Sequence, residues 1–115
     1  MNRYKLFKAG VDANKALKRL DNDKELYEEL LNHFCEDTYY AQMEAALEQG
    51  DVKQAFQAAH AMKGAAGNLS CIRLYDALLP CVEELRKGNL ETAREKFPEV
   101  KESYRVLMEA LQANS

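Results

Sequence analysis

At 115 residues the chain is long enough for one domain with a proper core and too short for two. Apolar residues make up 47% and charged residues 30%, with only two prolines and five glycines, a globular profile rich in helix formers, so an all-α fold is expected. The net charge of −3 excludes an overall basic field that would attract nucleic acid or anionic lipid, and neither is expected as a partner.

The longest apolar runs span only a few residues, and Met1-Asn-Arg-Tyr-Lys5 lacks the hydrophobic stretch of a secretion signal. A cytoplasmic protein is expected. Cys35, Cys71 and Cys81 are odd in number and show no C-x-x-C spacing, which argues against a disulfide framework or a zinc knuckle. Reduced thiols serving as packing residues are expected instead.

Residues 1–11 mix Leu6, Phe7 and Val11 with basic side chains and predict an irregular or weakly helical arm across one end of a bundle. Asp12 is a good N-cap for a short helix to about Leu20, with Ala13, Leu17 and Leu20 inside and Lys15, Lys18 and Arg19 outside. Asn22 or Asp23 then opens a long helix running to about Gln49, on which Tyr27, Leu30, Leu31, Phe34, Thr38, Ala41 and Ala45 recur at three and four. Gly50 ends it, and Asp51 with Gln54 three residues later reads as a capping box that opens the next helix, to about Leu69.

Ser70 is a plausible N-cap for a helix carrying Cys71, Leu74, Leu78, Cys81 and Leu85, with a kink expected at Pro80. Gly88-Asn89 repeats the glycine-polar punctuation and starts a last helix with Ala93, Phe97, Val100, Tyr104, Leu107 and Leu111 inside, bent or divided near Pro98. Four apolar stripes joined by short turns predict one domain over residues 1–115, an antiparallel up-down four-helix bundle with a short additional N-terminal helix. No second apolar stripe is evident on the outer faces, so a monomer is expected.

The stretch most unlike an ordinary helix is His60-Ala-Met-Lys-Gly-Ala-Ala-Gly-Asn-Leu69. At ~100° per residue, Val52, Ala55, Phe56, Ala59, Met62 and Ala66 gather on one side, and Lys53, Gln57, His60, Gly64 and Gly67 on the other. His60 therefore points outward. Each interior glycine costs a helix about 1 kcal/mol relative to alanine, and clearance for something approaching the imidazole is the simplest reason for two of them. Lys63 places an ammonium beside the ring.

His60-x-Met-Lys63-Gly64-Ala-Ala-x-Asn68-Leu69 resembles the signature of histidine-containing phosphotransfer (HPt) domains, helical-bundle carriers in two-component phosphorelays. The similarity extends from Gly10-Val-Asp12 and Leu17-x-x-Leu20-x-x-Asp23-x-x-Leu26-Tyr27 to Gly50-Asp51 and the Gly88 turn. The resemblance implies that His60 accepts a phosphoryl group and exchanges it with an aspartate of a response-regulator receiver domain or a hybrid sensor kinase. Lys63 would stabilise the phosphoryl oxygens, and Gly64, Gly67, Gln57 and Lys53 would meet the partner. It also implies that magnesium belongs to the receiver, leaving this chain with no cofactor and no metal of its own.

Three positions depart from the family pattern: Ser70 replaces a common glycine, Met62 a leucine, and Val82 stands where a Gln or Glu often holds the imidazole, with Glu83 beside it. Which group orients the ring is therefore open. No P-loop or glycine-rich nucleotide motif is present, so autonomous kinase activity is not expected. An adaptor that docks receivers without transferring phosphate is the alternative. A small hydrolase using His60 as general base lacks a visible second catalytic group. His33, flanked by Glu36 and Asp37, reads as a solvated helix histidine, since acidic neighbours repel a phosphoryl group and His33 with Asp37 supplies only two ligands.

Overall fold

Four of the helices begin where a side chain takes up a free backbone N–H. In the computed structural model, which describes residues 1–113, Asn2, Asp12, Asp23 and Asp51 accept from the backbone N–H three residues on at 3.0–3.1 Å. They open α1 (Arg3–Lys8), α2 (Ala13–Arg19), α3 (Lys24–Glu36) and α5 (Val52–Asn68). The remaining helices are α4 (Tyr39–Gln49), α6 (Ile72–Arg86) and α7 (Leu90–Ala113). At 1.5 Å per residue α7 alone is about 36 Å long, close to the 40 Å length of the molecule.

The four-helix bundle is present, its first rod made of α3 and α4 and the others of α5, α6 and α7. Tight glycine turns at Gly50 (φ 77°) and Gly88 (φ 82°) fold successive rods back on each other. One core joins all the rods, including Tyr27, Phe34, Met43, Met62, Leu74, Leu78, Val100 and Leu107.

The expected single helix from Asp23 to Gln49 is broken. Asp37 is extended (φ −69°, ψ 162°), and its carboxylate accepts from the Tyr39 N–H at 3.2 Å. The break re-phases the apolar stripe. Tyr27, Leu31 and Phe34 are buried before it, whereas Met43, Ala46 and Leu47 are buried after it and the expected Thr38, Ala41 and Ala45 are exposed. The new phase aims Tyr40 at α7, where its ring stacks on Tyr104 at 4.1 Å and on Phe97 at 5.7 Å.

Other expectations are corrected locally. The N-terminal arm is helical over α1, so two short helices precede the bundle. Asp51 caps α5, but Gln54 bonds Gln42 at 3.3 Å and does not complete a capping box. Ser70 is no N-cap: it adopts φ +57°, and Cys71 takes the capping position without a side-chain bond. Helix α7 is not divided at Pro98, and α6 likewise continues through Pro80. Both prolines are exposed, so the carbonyl each leaves unpaired lies on the solvent side of its helix.

The N-terminal segment packs where α5 turns into α6. The Asp12 N–H donates to the Ser70 carbonyl at 2.9 Å, the Arg73 N–H to the Gly10 carbonyl at 3.1 Å, and the fully buried Tyr27 donates its hydroxyl to the Leu69 carbonyl at 2.8 Å. Gly10 (φ +84°) is required there, because any side chain would collide with Cβ of Arg73.

The cysteines are free, as expected, with Cys71 and Cys81 fully buried and Cys35 half-buried. Burial pushes the Cys71 thiol up to about 12 and the Cys81 thiol to about 11, and raises the Tyr27 phenol above its ordinary 10.0. The folded chain keeps these protons while the unfolded chain releases them above pH ~8.5 for thiols and ~10 for tyrosine. Stability should therefore fall as pH rises through about 9 to 11, read as a declining midpoint of thermal unfolding. Tyr27→Phe should cost about 1–3 kcal/mol near neutral pH by orphaning the Leu69 carbonyl, and should flatten the part of the alkaline decline above pH ~10.

Candidate functional site

Helix α5 is amphipathic in an unusual way, because its inner face is built of alanines. Ala55, Ala58, Ala59, Met62 and Ala66 are buried, which lets the neighbouring rods come close. The opposite face carries Lys53, Gln57, His60 and Gly64, all exposed, with Lys63 half-buried at its edge.

The His60 ring lies on the ring of Phe56, one turn earlier, with centroids 5.6 Å apart and planes 14° from parallel. Arg86, from the last turn of α6, sits over Phe56 with its guanidinium carbon 5.3 Å from the ring centroid. Glu83 holds that guanidinium at 3.4 Å. Val82 is fully buried, and among the described residues no group hydrogen-bonds the His60 ring. The question of what orients the imidazole thus has a packing answer: a stack of arginine, phenylalanine and histidine, with Glu83 acting on Arg86. Phe56, assigned by periodicity to the inner side, is half-buried at its boundary, and the i to i+4 spacing of two aromatic rings was the signal in the sequence.

The two glycines differ. A side chain added at Gly64 would meet nothing within 4 Å, so this glycine opens space beside His60. One added at Gly67 would lie 3.1 Å from the Tyr75 ring, so this glycine lets α6 approach. The Gly67 carbonyl also accepts from Arg19 at 3.2 Å, and a second bond joins the same guanidinium to the Ser70 hydroxyl. Lys63 and Gly64 adjoin a cleft of about 560 Å³ whose other wall carries Lys15 and Arg19.

His60 lines neither this cleft nor the larger groove of about 890 Å³ between the α1–α2 connection, α6 and α7. His33 is exposed at the end of α3, facing a groove with Asp37, Ala65 and Asn68, apart from the His60 face. Among the described residues no three His, Cys, Asp or Glu side chains gather as a metal site, and no helix is long and apolar enough to cross a membrane.

Two substitutions test this geometry. Phe56→Ala should release the His60 ring, read by NMR as averaged side-chain shifts and an altered tautomer ratio, whereas Phe56→Tyr should preserve both. Gly64→Ala should stabilise the fold by up to about 1 kcal/mol in denaturant unfolding, while Gly67→Ala should fail to gain this because Tyr75 must move.

His60 is thus an exposed imidazole outside both clefts, on a helix face that also carries Lys53, Gln57 and the open position at Gly64. The family model described as Hpt domain matches residues 25–114, beginning after the Gly10–Asp12 and Leu17–Asp23 stretches. No curated protein and no solved structure matches the chain. The match covers most of the sequence and the whole bundle, and the chain belongs to the Hpt domain family, the histidine phosphotransfer domains of two-component signalling.

Proposed function

We propose that His60 is the phosphoacceptor of this Hpt domain and relays a phosphoryl group to or from an aspartate of a receiver domain. The observation that carries the assignment is the open space at Gly64 beside an exposed imidazole. In a helix that is otherwise well packed, that glycine has no internal partner to accommodate, and its cost is explained by an approaching partner. His33 has no comparable neighbourhood.

In the proposed reaction a neutral ring nitrogen of His60, taken as Nε2, attacks the phosphorus of an aspartyl phosphate. The N–P bond forms as the acyl O–P bond breaks, and the bonding pair stays on the carboxylate. The transition state is loose, with charge spread over the phosphoryl oxygens, so positioning and electrostatics dominate. The Phe56 stack orients the ring, and Lys63 stands one turn on to meet the developing charge. The acceptor aspartate and magnesium are assigned to the receiver, so the chain works as half of an active site. Gln57 and Lys53, exposed on the same face, are assigned to partner contact. A hydrolase finds no support in this geometry, since the 890 Å³ groove lies elsewhere and His60 lacks a hydrogen-bonded second catalytic group among the described residues.

Intact-mass analysis after incubation with a small phosphoramidate donor tests the assignment. Wild type should gain one acid-labile phosphoryl group, and His60→Gln none. Label retained in the variant would move the site to another residue. Receiver binding by both proteins with no label on either would favour the adaptor.

A further inference from the structure

We propose that the cleft between α2 and the α5–α6 turn receives a carboxylate-rich segment of the receiver partner, with Lys15 and Arg19 as its selectivity-determining cations. The inference rests on the carrier reading of His60 and assigns a second contact to the same encounter.

Arg73, Arg86, Arg94 and Arg105 each pair with a glutamate, at 3.9, 3.4, 2.8 and 2.6 Å. Arg19 does not. The Arg19 N–H groups go to two neutral acceptors, the Gly67 carbonyl and the Ser70 hydroxyl, so the guanidinium is fixed in place with no ion-pair partner among the described residues. Lys15, one turn earlier on the exposed face of α2, and Lys63 from α5 line the same cleft, and neither has an ion-pair partner among the described residues. Asp76, on the α6 wall, pairs with none of the three. In a chain of net charge −3 this is a local concentration of positive charge in a concave setting, where an anionic group is attracted more strongly than on an open surface.

Position supplies the second argument. The cleft of about 560 Å³ includes Lys63 and Gly64, so a protein seated over Gly64 to reach His60 also covers the cleft mouth. The third concerns specificity. Lys15 and Arg19 precede residue 25, where the family match begins, so one wall of the cleft comes from a segment outside the matched domain. A feature built partly outside that domain is suited to distinguishing one receiver from another, by attracting a complementary acidic segment and rejecting a basic one.

The test compares wild type with Lys15→Glu, Lys15→Arg and a control, Lys101→Glu, which makes the same charge change on the α4–α7 side. Lys15 is exposed and its side chain holds nothing together, so the fold should survive, whereas Arg19 is left intact because it braces the turn. Two readouts are followed with a receiver domain that exchanges phosphate with the chain: the transfer rate, and NMR shifts of the Gly64 and Gly67 amides on binding. At low salt Lys15→Glu should slow transfer and weaken binding about tenfold, with a flatter salt dependence, while Lys15→Arg and Lys101→Glu stay near wild type. Labelling of His60 by phosphoramidate, which involves no partner, should be unchanged.

Equal effects of Lys15→Glu and Lys101→Glu, or none from either, would overturn the proposal. If wild type takes no label from phosphoramidate, the carrier reading fails separately, and the binding shifts still decide whether the cleft engages an acidic partner.

Discussion

The structure depends on how the C-terminal end of α5 is closed. A helix end leaves carbonyls without intrahelical partners, and here the chain turns abruptly through Ser70 at φ +57°, a conformation that costs a non-glycine residue about 1–3 kcal/mol. Tyr27 of α3 and the Asp12 N–H before α2 answer the Leu69 and Ser70 carbonyls, and Arg19 of α2 adds a bond to the Gly67 carbonyl, which also accepts from the Ser70 N–H. The Leu69 and Ser70 carbonyls, if left orphaned in the interior, would each cost about 1–3 kcal/mol, so these bonds offset the strain and fix the direction in which α6 leaves. That direction brings Arg86 back over Phe56 and so reaches the His60 ring. The N-terminal helices are therefore part of the framework of the site, although they lie outside the matched domain.

The site itself is spare. It offers a nucleophile, a stacked aromatic that limits its motion, one nearby ammonium and a bare strip of backbone. Under the proposed relay such economy suits a group that is charged by one protein and discharged by another, because a pocket with its own base and bound water would promote loss to hydrolysis. In that proposal the remaining chemistry lies on the partner, which makes transfer conditional on docking. The stack orients the ring while Val82, where the family resemblance would put a polar side chain to hold it, is fully buried. A π-face worth about 0.5–1.5 kcal/mol takes over orientation from a hydrogen bond of similar size.

Much of this was legible in the residues. The Asp12, Asp23 and Asp51 caps, the glycine turns at Gly50 and Gly88, and the outward aim of His60 all follow from local rules that tertiary packing did not override. The break at Asp37 was hidden because apolar residues continue at helical spacing on both sides, and the second phase is favoured by tertiary contacts, the burial of Met43, Ala46 and Leu47 and the stacking of Tyr40 on Tyr104 and Phe97. Ser70 misled for a related reason: serine is a good N-cap in isolation, but its hydroxyl is taken by Arg19, fifty-one residues earlier. The Phe56–Arg86 contact spans two helices and has no local signature. The basic character of α2 was plain, whereas the cleft it forms with Lys63 required the fold.

The central claim is that this chain holds half of a phosphotransfer site, and the lifetime of its phosphorylated form tests that most directly. Phosphorylated wild type, freed of donor, should keep its label at neutral pH when alone. It should lose the label rapidly, with appearance of aspartyl phosphate, only when a competent receiver and magnesium are added together. Rapid loss from the isolated chain to inorganic phosphate would contradict the account, since it would mean that the chain carries its own hydrolytic machinery.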